Sequence, residues 1–198
     1  MRTGTENKIT LRLIRHGKTA ANEEHRYIGR TDEPLSENGI AELEKLYPRK
    51  LEAERVFVSP MKRCIQTAKI IYGTDDPVII DDWREMDFGS FEMKNHEELD
   101  GDPAYQAWID SGGKFDFPGG EGQKSFTERV IKGFELFIEK CLSDNIKNAA
   151  AVVHGGTIMA LLSSITGEEY YSFLVKNGYG YETVFRIENG KAVLESVK

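Results

Sequence analysis

Leu13-Ile14-Arg15-His16-Gly17 decides the reading of this chain, because an apolar run stops there abruptly at a guanidinium, an imidazole and a glycine. Such a run reads as a buried strand, and in open α/β sheets ligands bind just beyond the carboxyl ends of strands. Alternation along a strand sends Arg15 and His16 to opposite faces, so both can face one pocket only if the strand bends there. Gly17 is expected to allow that bend. The arrangement recurs at Ala151-Val152-Val153-His154-Gly155-Gly156, where a second apolar run ends in a histidine and two glycines. Two histidines delivered by two strand ends, with an arginine beside one, suit an anionic substrate.

The 198 residues fit one domain with room for a sizeable core. Hydrophobic residues make up 39% and charged residues 30%, ordinary for a globular protein. No apolar run approaches the roughly 20 residues that span a bilayer, and Met1-Arg2-Thr3-Gly4-Thr5-Glu6-Asn7 lacks the apolar core of a secretory signal. The expected location is cytoplasmic, with no membrane partner. Acidic residues outnumber basic ones 33 to 26, so the overall field repels polyanions and nucleic acid is not expected as a partner. An anionic ligand must then be held by local arginines against the global charge. Cys64 and Cys141 lack C-x-x-C spacing and read as reduced thiols.

Along the chain, apolar and amphipathic segments alternate as in a βαβ protein. After the first strand comes a polar loop, then a helix over 36–46 with Ser36 as N-cap and Pro48 beyond its end. Arg55-Val56-Phe57-Val58 reads as a strand, 61–72 as a helix closed by Gly73, and Val78-Ile79-Ile80 as a short strand. Residues 88–122 mix a helical pattern around Tyr105, Trp108 and Ile109 with glycines and prolines, and read as an insertion lying across the sheet end. Ser125-Phe126-Thr127-Glu128 has the form of a capping box, with Phe126, Val130, Phe134, Phe137, Ile138 and Cys141 at helical spacing. A strand holding Val152 and Val153 precedes a helix over 157–165, and Asn189-Gly190 between two apolar runs signals a terminal hairpin.

Phosphoryl transfer needs an in-line nucleophile, cations on the non-bridging oxygens and a proton donor for the leaving oxygen. A neutral His16 imidazole can attack phosphorus to give a phosphohistidine that water hydrolyses. Arginines nearby help by keeping the ring unprotonated. Arg15 is one clamp. In Ser59-Pro60-Met61-Lys62-Arg63, Arg63 falls in a first helical turn over the sheet end, and its fork grips phosphate better than the point charge of Lys62. His154 would donate from its ring to another oxygen, and the amides of Gly155 and Gly156 at a helix N-terminus add an anion site. The acid should be a carboxylate after the third strand, where Glu85 fits and Asp81, Asp82 and Asp87 are rivals. Taken singly, these groups have plainer uses. Asn22 and Thr19 can stabilise a loop, and Tyr27, Trp83 and Trp108 are expected in the core.

Leu13-Ile14-Arg15-His16-Gly17-Lys18-Thr19 with Asn22 resembles the R-H-G-x-T…N signature of the histidine phosphatase superfamily, the branch typified by cofactor-dependent phosphoglycerate mutases. Further matches run along nearly the whole chain: Gly29, Thr31-Asp32, Pro34-Leu35-Ser36 through Gly39, Ser59-Pro60 with Arg63, Gln66-Thr67-Ala68, Arg84-Glu85 with Phe88-Gly89, and His154-Gly155-Gly156. The resemblance implies a single three-layer α/β domain over 1–198, with a mainly parallel sheet between helices and residues 88–122 covering the site. It implies His16 as phosphorylated nucleophile, Glu85 as proton donor, and Arg15, Arg63 and His154 as the phosphate pocket. Asn22 is an auxiliary contact, with Thr19, Gly29 and Gly155 among the phosphate-binding groups. It also implies no metal and no organic cofactor, in keeping with four histidines that show no metal-ligand spacing.

Mutases of this superfamily tend to have asparagine after the second H-G, where this compact chain has Gly156, and that is similar to the phosphatase members. Residues 27–37 with Pro118-Gly119-Gly120-Glu121 are similar to alpha-ribazole phosphatases. The implied activity is hydrolysis of a small-metabolite phosphate monoester, and alpha-ribazole 5′-phosphate is the named candidate. The alternatives are a mutase, a catalytically silent phosphate-binding module and, weaker still, a metal-dependent hydrolase. A small phosphorylated metabolite is the expected partner, and a homodimer is the one protein assembly the reading allows. The chain departs from its relatives at Phe91-Glu92-Met93 in place of W-E-G, Glu121-Gly122 in place of G-E-S, and Lys18 in place of glutamate; these positions are expected near the substrate rim.

Overall fold

The computed structural model describes residues 8–198. The seven residues read above as lacking an apolar leader core lie outside that range. Strand β1 (Lys8–Arg15) runs through the middle of a six-stranded sheet, pairing in parallel with β4 (Asn148–Val153) and antiparallel with β5 (Gly180–Glu188). The sheet is completed by β2 (Arg55–Val58), β3 (Val78–Ile79) and β6 (Lys191–Val197), in the order β3-β2-β4-β1-β5-β6. The first four strands in that order are mutually parallel and the last two form the antiparallel hairpin. Asn189 and Gly190 take φ of 51° and 79° at its tip, the left-handed pair that a primed two-residue turn requires.

Period-two alternation gives the sheet two apolar faces. Val56, Val58, Ala150 and Val152 face Cys64 and Ala68 of α3 (Lys62–Tyr72), while α2 (Glu37–Leu46) brings Leu43 against Ile14 and Ile71 of the same layer. Phe57, Ala149, Ala151 and Val153 face the other way, into the main core with α5 (Gln123–Ser143) and α6 (Gly155–Thr166). Alanines at three successive positions of β4 leave room for larger partners, and the rings of Phe57 and Phe137 meet edge to face at 4.8 Å. Ser36 caps α2 through the Gly39 amide, and Gly73 closes α3 at φ 71°.

Three expectations differ from the structure. The helix α5 begins at Gln123 with Gly122 as N-cap, and the Ser125 hydroxyl donates to the Gly122 carbonyl instead of capping. Backbone bonds from Glu121 N to Asp87 O and from Phe117 N to Glu121 O fix the chain just ahead, so the helix starts before the supposed box. The segment after β1 holds one helical turn, α1 (Ala20–Glu23), in which Thr19 and Asn22 form the reciprocal capping box. The third strand stops at Ile79 and leads through a 3₁₀ turn, Asp81–Trp83, toward Glu85. The insertion carries a 3₁₀ turn, Gly89–Phe91, and α4 (Pro103–Asp110), which Asp102 caps through the Ala104 and Tyr105 amides.

Candidate active site

β1 and β4 lie side by side with Arg15 paired to Val153, so their next residues, His16 and His154, leave the same edge together. Their rings sit 5.1 Å apart, edge to face. Strand β1 ends at Arg15, so His16 is already free of the alternation that would have sent it to the opposite face. Gly17 is not in the left-handed region; it is needed for space, because a Cβ there would lie 2.5 Å from Leu43 Cδ1. Thr67 Oγ1 accepts from the Gly17 amide at 3.0 Å, and Asn177 Nδ2 donates to the His16 carbonyl at 3.0 Å. The loop carrying His16 is thus held from α3 and from the segment before β5.

His16 is 3% exposed, and its Nδ1 lies 2.6 Å from the Gly17 carbonyl oxygen. That oxygen can only accept, so Nδ1 carries the proton and Nε2 keeps its lone pair. Burial, then the charges of Arg63 and Arg15, hold the ring's pKa well below 6.5, which keeps it neutral and nucleophilic. Arg63, in the first turn of α3, is fully buried. It donates from Nη1 to Thr31 O and from Nη2 to Gly29 O, both at 2.8 Å, and from Nε to His154 Nδ1 at 3.3 Å. Arg15 donates from Nη1 to Val175 O at 2.8 Å, while its Nε is buried without a partner. An oxyanion would supply the missing acceptor.

His154 was expected to donate to a ligand oxygen. In the structure both its ring nitrogens are engaged: Nδ1 accepts from Arg63, and Nε2 lies 2.7 Å from Ser59 Oγ. Donation to a ligand therefore requires exchange of the Ser59 contact. Burial and Arg63 also hold this ring's pKa well below 6.5.

Glu85 stands apart from its rivals. Asp81 pairs with Arg84, Asp82 with Lys132 and Asp87 with Arg30, whereas the Glu85 side chain is buried without a salt-bridge partner among the described residues. Its Oε1 accepts from the Met86 amide at 3.0 Å and its Oε2 from the Gly156 amide at 3.1 Å. Desolvation raises its pKa despite those two bonds and the arginines, which favours the protonated acid. The Gly156 amide, expected to bind the anion, is thereby already taken by Glu85. A Cβ at Gly156 would lie 2.3 Å from Glu85 Oε1, so only glycine permits this contact.

Beside Arg15, Glu85, Gly155 and Gly156 opens a cavity of about 230 Å³. Its remaining wall is mostly apolar and aromatic, with Tyr27, Phe88, Trp108, Phe117, Met159 and Tyr170 among its residues and Gln123 as a polar one. Trp83 is fully buried as expected, but Tyr27 and Trp108 line this cavity and are not confined to the core.

The sequence matches the Histidine phosphatase superfamily (branch 1) over residues 11–198. The chain belongs to the histidine phosphatase superfamily. It is 34% identical over 165 residues to an adenosylcobalamin/alpha-ribazole phosphatase of Salmonella typhimurium, covering 79% of each protein. Identity to the Escherichia coli protein of the same name is 32% over 181 residues, covering 86% of this chain and 87% of the relative. The crystal structure of the alpha-ribazole phosphatase from Shigella flexneri superposes with a TM-score of 0.74 at 27% identity, covering 96% of both chains. This histidine phosphatase is accordingly a phosphoric monoester hydrolase that acts on a small-metabolite phosphate.

Several positions take on meaning in that light. Asn22 and Thr19 bond one another across α1, with Asn22 Oδ1 also accepting from Asn177 Nδ2, and the Gly29 amide donates to Glu92 while its carbonyl holds Arg63. These groups build the pocket's supports, and Gly155 sits in the first turn of α6 on the cavity wall. Lys18 pairs with Glu42 at 2.8 Å and is not on that wall. Glu92 accepts from the Gly29 and Thr31 amides, and Met93 holds φ 61°, a left-handed conformation that glycine adopts without strain. Thr67, quoted in the sequence only within the Gln66-Thr67-Ala68 match, and Asn177, whose sole signal was its turn-forming Asn-Gly pair, hold the His16 loop without having been assigned to the site. Among the described residues no group of three or more His, Cys, Asp or Glu could hold a metal ion, and no helix is long and apolar enough to cross a membrane.

Proposed function

We propose that this enzyme cleaves its phosphate monoester through phosphorylated His16, with Glu85 as the acid and Arg15, Arg63 and His154 around the transferred group. The observation that carries the reading is the tautomer lock on His16 Nδ1 beneath two guanidiniums. Nε2 attacks phosphorus in line, the ester P–O bond breaks, and the departing oxygen takes the proton of the Glu85 carboxyl. The resulting carboxylate then takes a proton from water as that water attacks the phosphohistidine. The P–N bond breaks, its electron pair returns to Nε2, Glu85 is again protonated, and inorganic phosphate leaves. Arg63 spends three of its five N–H groups on Thr31, Gly29 and His154, leaving one on each terminal nitrogen for phosphate oxygens. Arg15 offers its unpartnered Nε.

The aromatic cavity supports a leaving alcohol that bears a flat, uncharged ring system, since such a group stacks on side chains like Tyr27 and Trp108. An alpha-ribazole 5′-phosphate has that character and agrees with the names of the relatives. A phosphoglycerate fits less well. Its carboxylate would need a second cation, and among the described residues lining the cavity Arg15 is the only one. Comparing kcat/KM for alpha-ribazole 5′-phosphate and 3-phosphoglycerate tests this. The reading predicts phosphate release with strong preference for the former, and isomerisation of the latter would overturn it. Cytoplasmic residence and a homodimeric assembly remain within the proposal, measurable by cell fractionation and by sedimentation of the purified enzyme.

A further inference from the structure

Arg129, on α5, has no part in the chemistry above, yet it grips the turn that carries the acid. Its Nη1 donates to the carbonyl oxygens of Asp82 at 2.9 Å and Arg84 at 3.1 Å, and its Nη2 reaches the carbonyl of Glu85 itself at 3.4 Å. The other edge of the guanidinium forms a two-point pair with Glu121, Nε to Oε1 at 2.9 Å and Nη2 to Oε2 at 2.7 Å. Glu121 Oε2 in turn accepts from the Asp87 amide at 2.9 Å, and the Glu121 amide donates to the Asp87 carbonyl at 2.9 Å. The guanidinium also lies over the Phe126 ring, 5.1 Å from its centre.

These contacts close a ring around Glu85. Beyond the 3₁₀ turn at Asp81–Trp83, residues 84–88 belong to no helix or strand, so the position of the acid depends on what holds their backbone. Arg129 holds it from the carbonyl side and Glu121 from the far end, while the Gly156 amide holds the carboxyl. Glu121, at the place where relatives carry G-E-S, therefore serves this clamp and does not face the substrate rim. A lysine at 129 would keep the charge but offer one point where a fork now spans three carbonyls and a carboxylate.

We propose that Arg129, locked by Glu121, is a positioning residue that sets the Glu85 carboxyl against the leaving oxygen. The inference rests on the reading of Glu85 as the acid. Proton donation matters when the leaving alkoxide is poor and hardly at all when it is a stable phenolate. The test is therefore kcat/KM of Arg129→Lys and Glu121→Gln on a simple alkyl phosphate and on p-nitrophenyl phosphate, with Glu85→Gln as reference. The expected result is a loss on the alkyl ester larger by roughly 10- to 100-fold than on the aryl ester, the scale of a misplaced catalytic group. Adding Arg129→Lys to Glu85→Gln should cost nothing further on the alkyl ester. Equal losses on both esters, or additive losses in the double variant, would overturn the proposal. Glu121→Gln, nearly isosteric, answers the question if Arg129→Lys does not fold. A reference variant with no preference between the esters would remove Glu85 as the acid, and the clamp's role with it; a preference there but not at Arg129 or Glu121 would sink the clamp alone.

Discussion

Replacing Arg63 with lysine separates two duties that its guanidinium performs at once. The substitution keeps the positive charge that helps hold His16 neutral, but an ammonium donates from a single point. It cannot hold Gly29 O and Thr31 O, as the present fork does from its terminal nitrogens, and still donate to a phosphate oxygen. At least one buried carbonyl then loses its donor, at a cost of about 1–3 kcal/mol. For a chain of this length that lowers Tm by roughly 2–12 °C, taking about 2–4 °C per kcal/mol. Loss of one preorganised donor to the transferred phosphoryl group should lower kcat/KM by roughly 10²–10³, or about 2.7–4 kcal/mol. The assay is phosphate release measured well below the lowered Tm, with thermal melts alongside. A variant whose Tm falls as calculated while kcat/KM stays at the wild-type level would show that Arg63 holds the 29–31 loop and does not touch the phosphoryl group.

The pH profile of kcat/KM on an alkyl ester should be a bell, limited on the acid side by protonation of His16, whose pKa lies well below 6.5, and on the alkaline side by ionisation of Glu85, whose pKa is raised above 4.5. Activity must therefore fall as pH rises through the Glu85 pKa, and a rate that keeps climbing past neutrality would contradict the assignment. Gly156→Ala forces its Cβ to within 2.3 Å of Glu85 Oε1 unless the carboxyl moves, so it should lower kcat/KM roughly 10²-fold on alkyl esters, and wild-type kinetics would refute that contact. Met93→Gly relieves a left-handed φ of 61° and should stabilise the fold by about 0.5–1 kcal/mol in urea titrations, whereas a loss of stability would show that the Met93 side chain contributes more than its backbone strain costs.

Much of this arrangement could be read from residue order because it is local. The apolar runs around Leu13, Phe57 and Val152 became strands, and Arg63 fell on the first turn of a helix, since period and caps are written in neighbouring residues. What could not be read depends on contacts between distant segments. Tyr27 and Trp108 line a cavity only because the insertion folds across to Tyr170 and Leu174. Gly17 proved to be a matter of clearance to Leu43, not of backbone torsion. The Ser125 capping pattern failed because backbone pairing of Glu121 with Asp87 had already fixed where α5 begins. Glu85 was already preferred in the sequence, but what sets it apart from Asp81, Asp82 and Asp87, its burial and their ion pairs, depends on the fold.

The central claim is that His16 becomes covalently phosphorylated. Rapid quenching of the enzyme with a ³²P-labelled phosphate monoester, followed by acid and base treatment and peptide mapping, measures this directly. The account predicts label on the peptide containing His16 that is lost in acid and kept in base, and none on His16→Ala. Label that survives acid, maps elsewhere or persists in His16→Ala would contradict it.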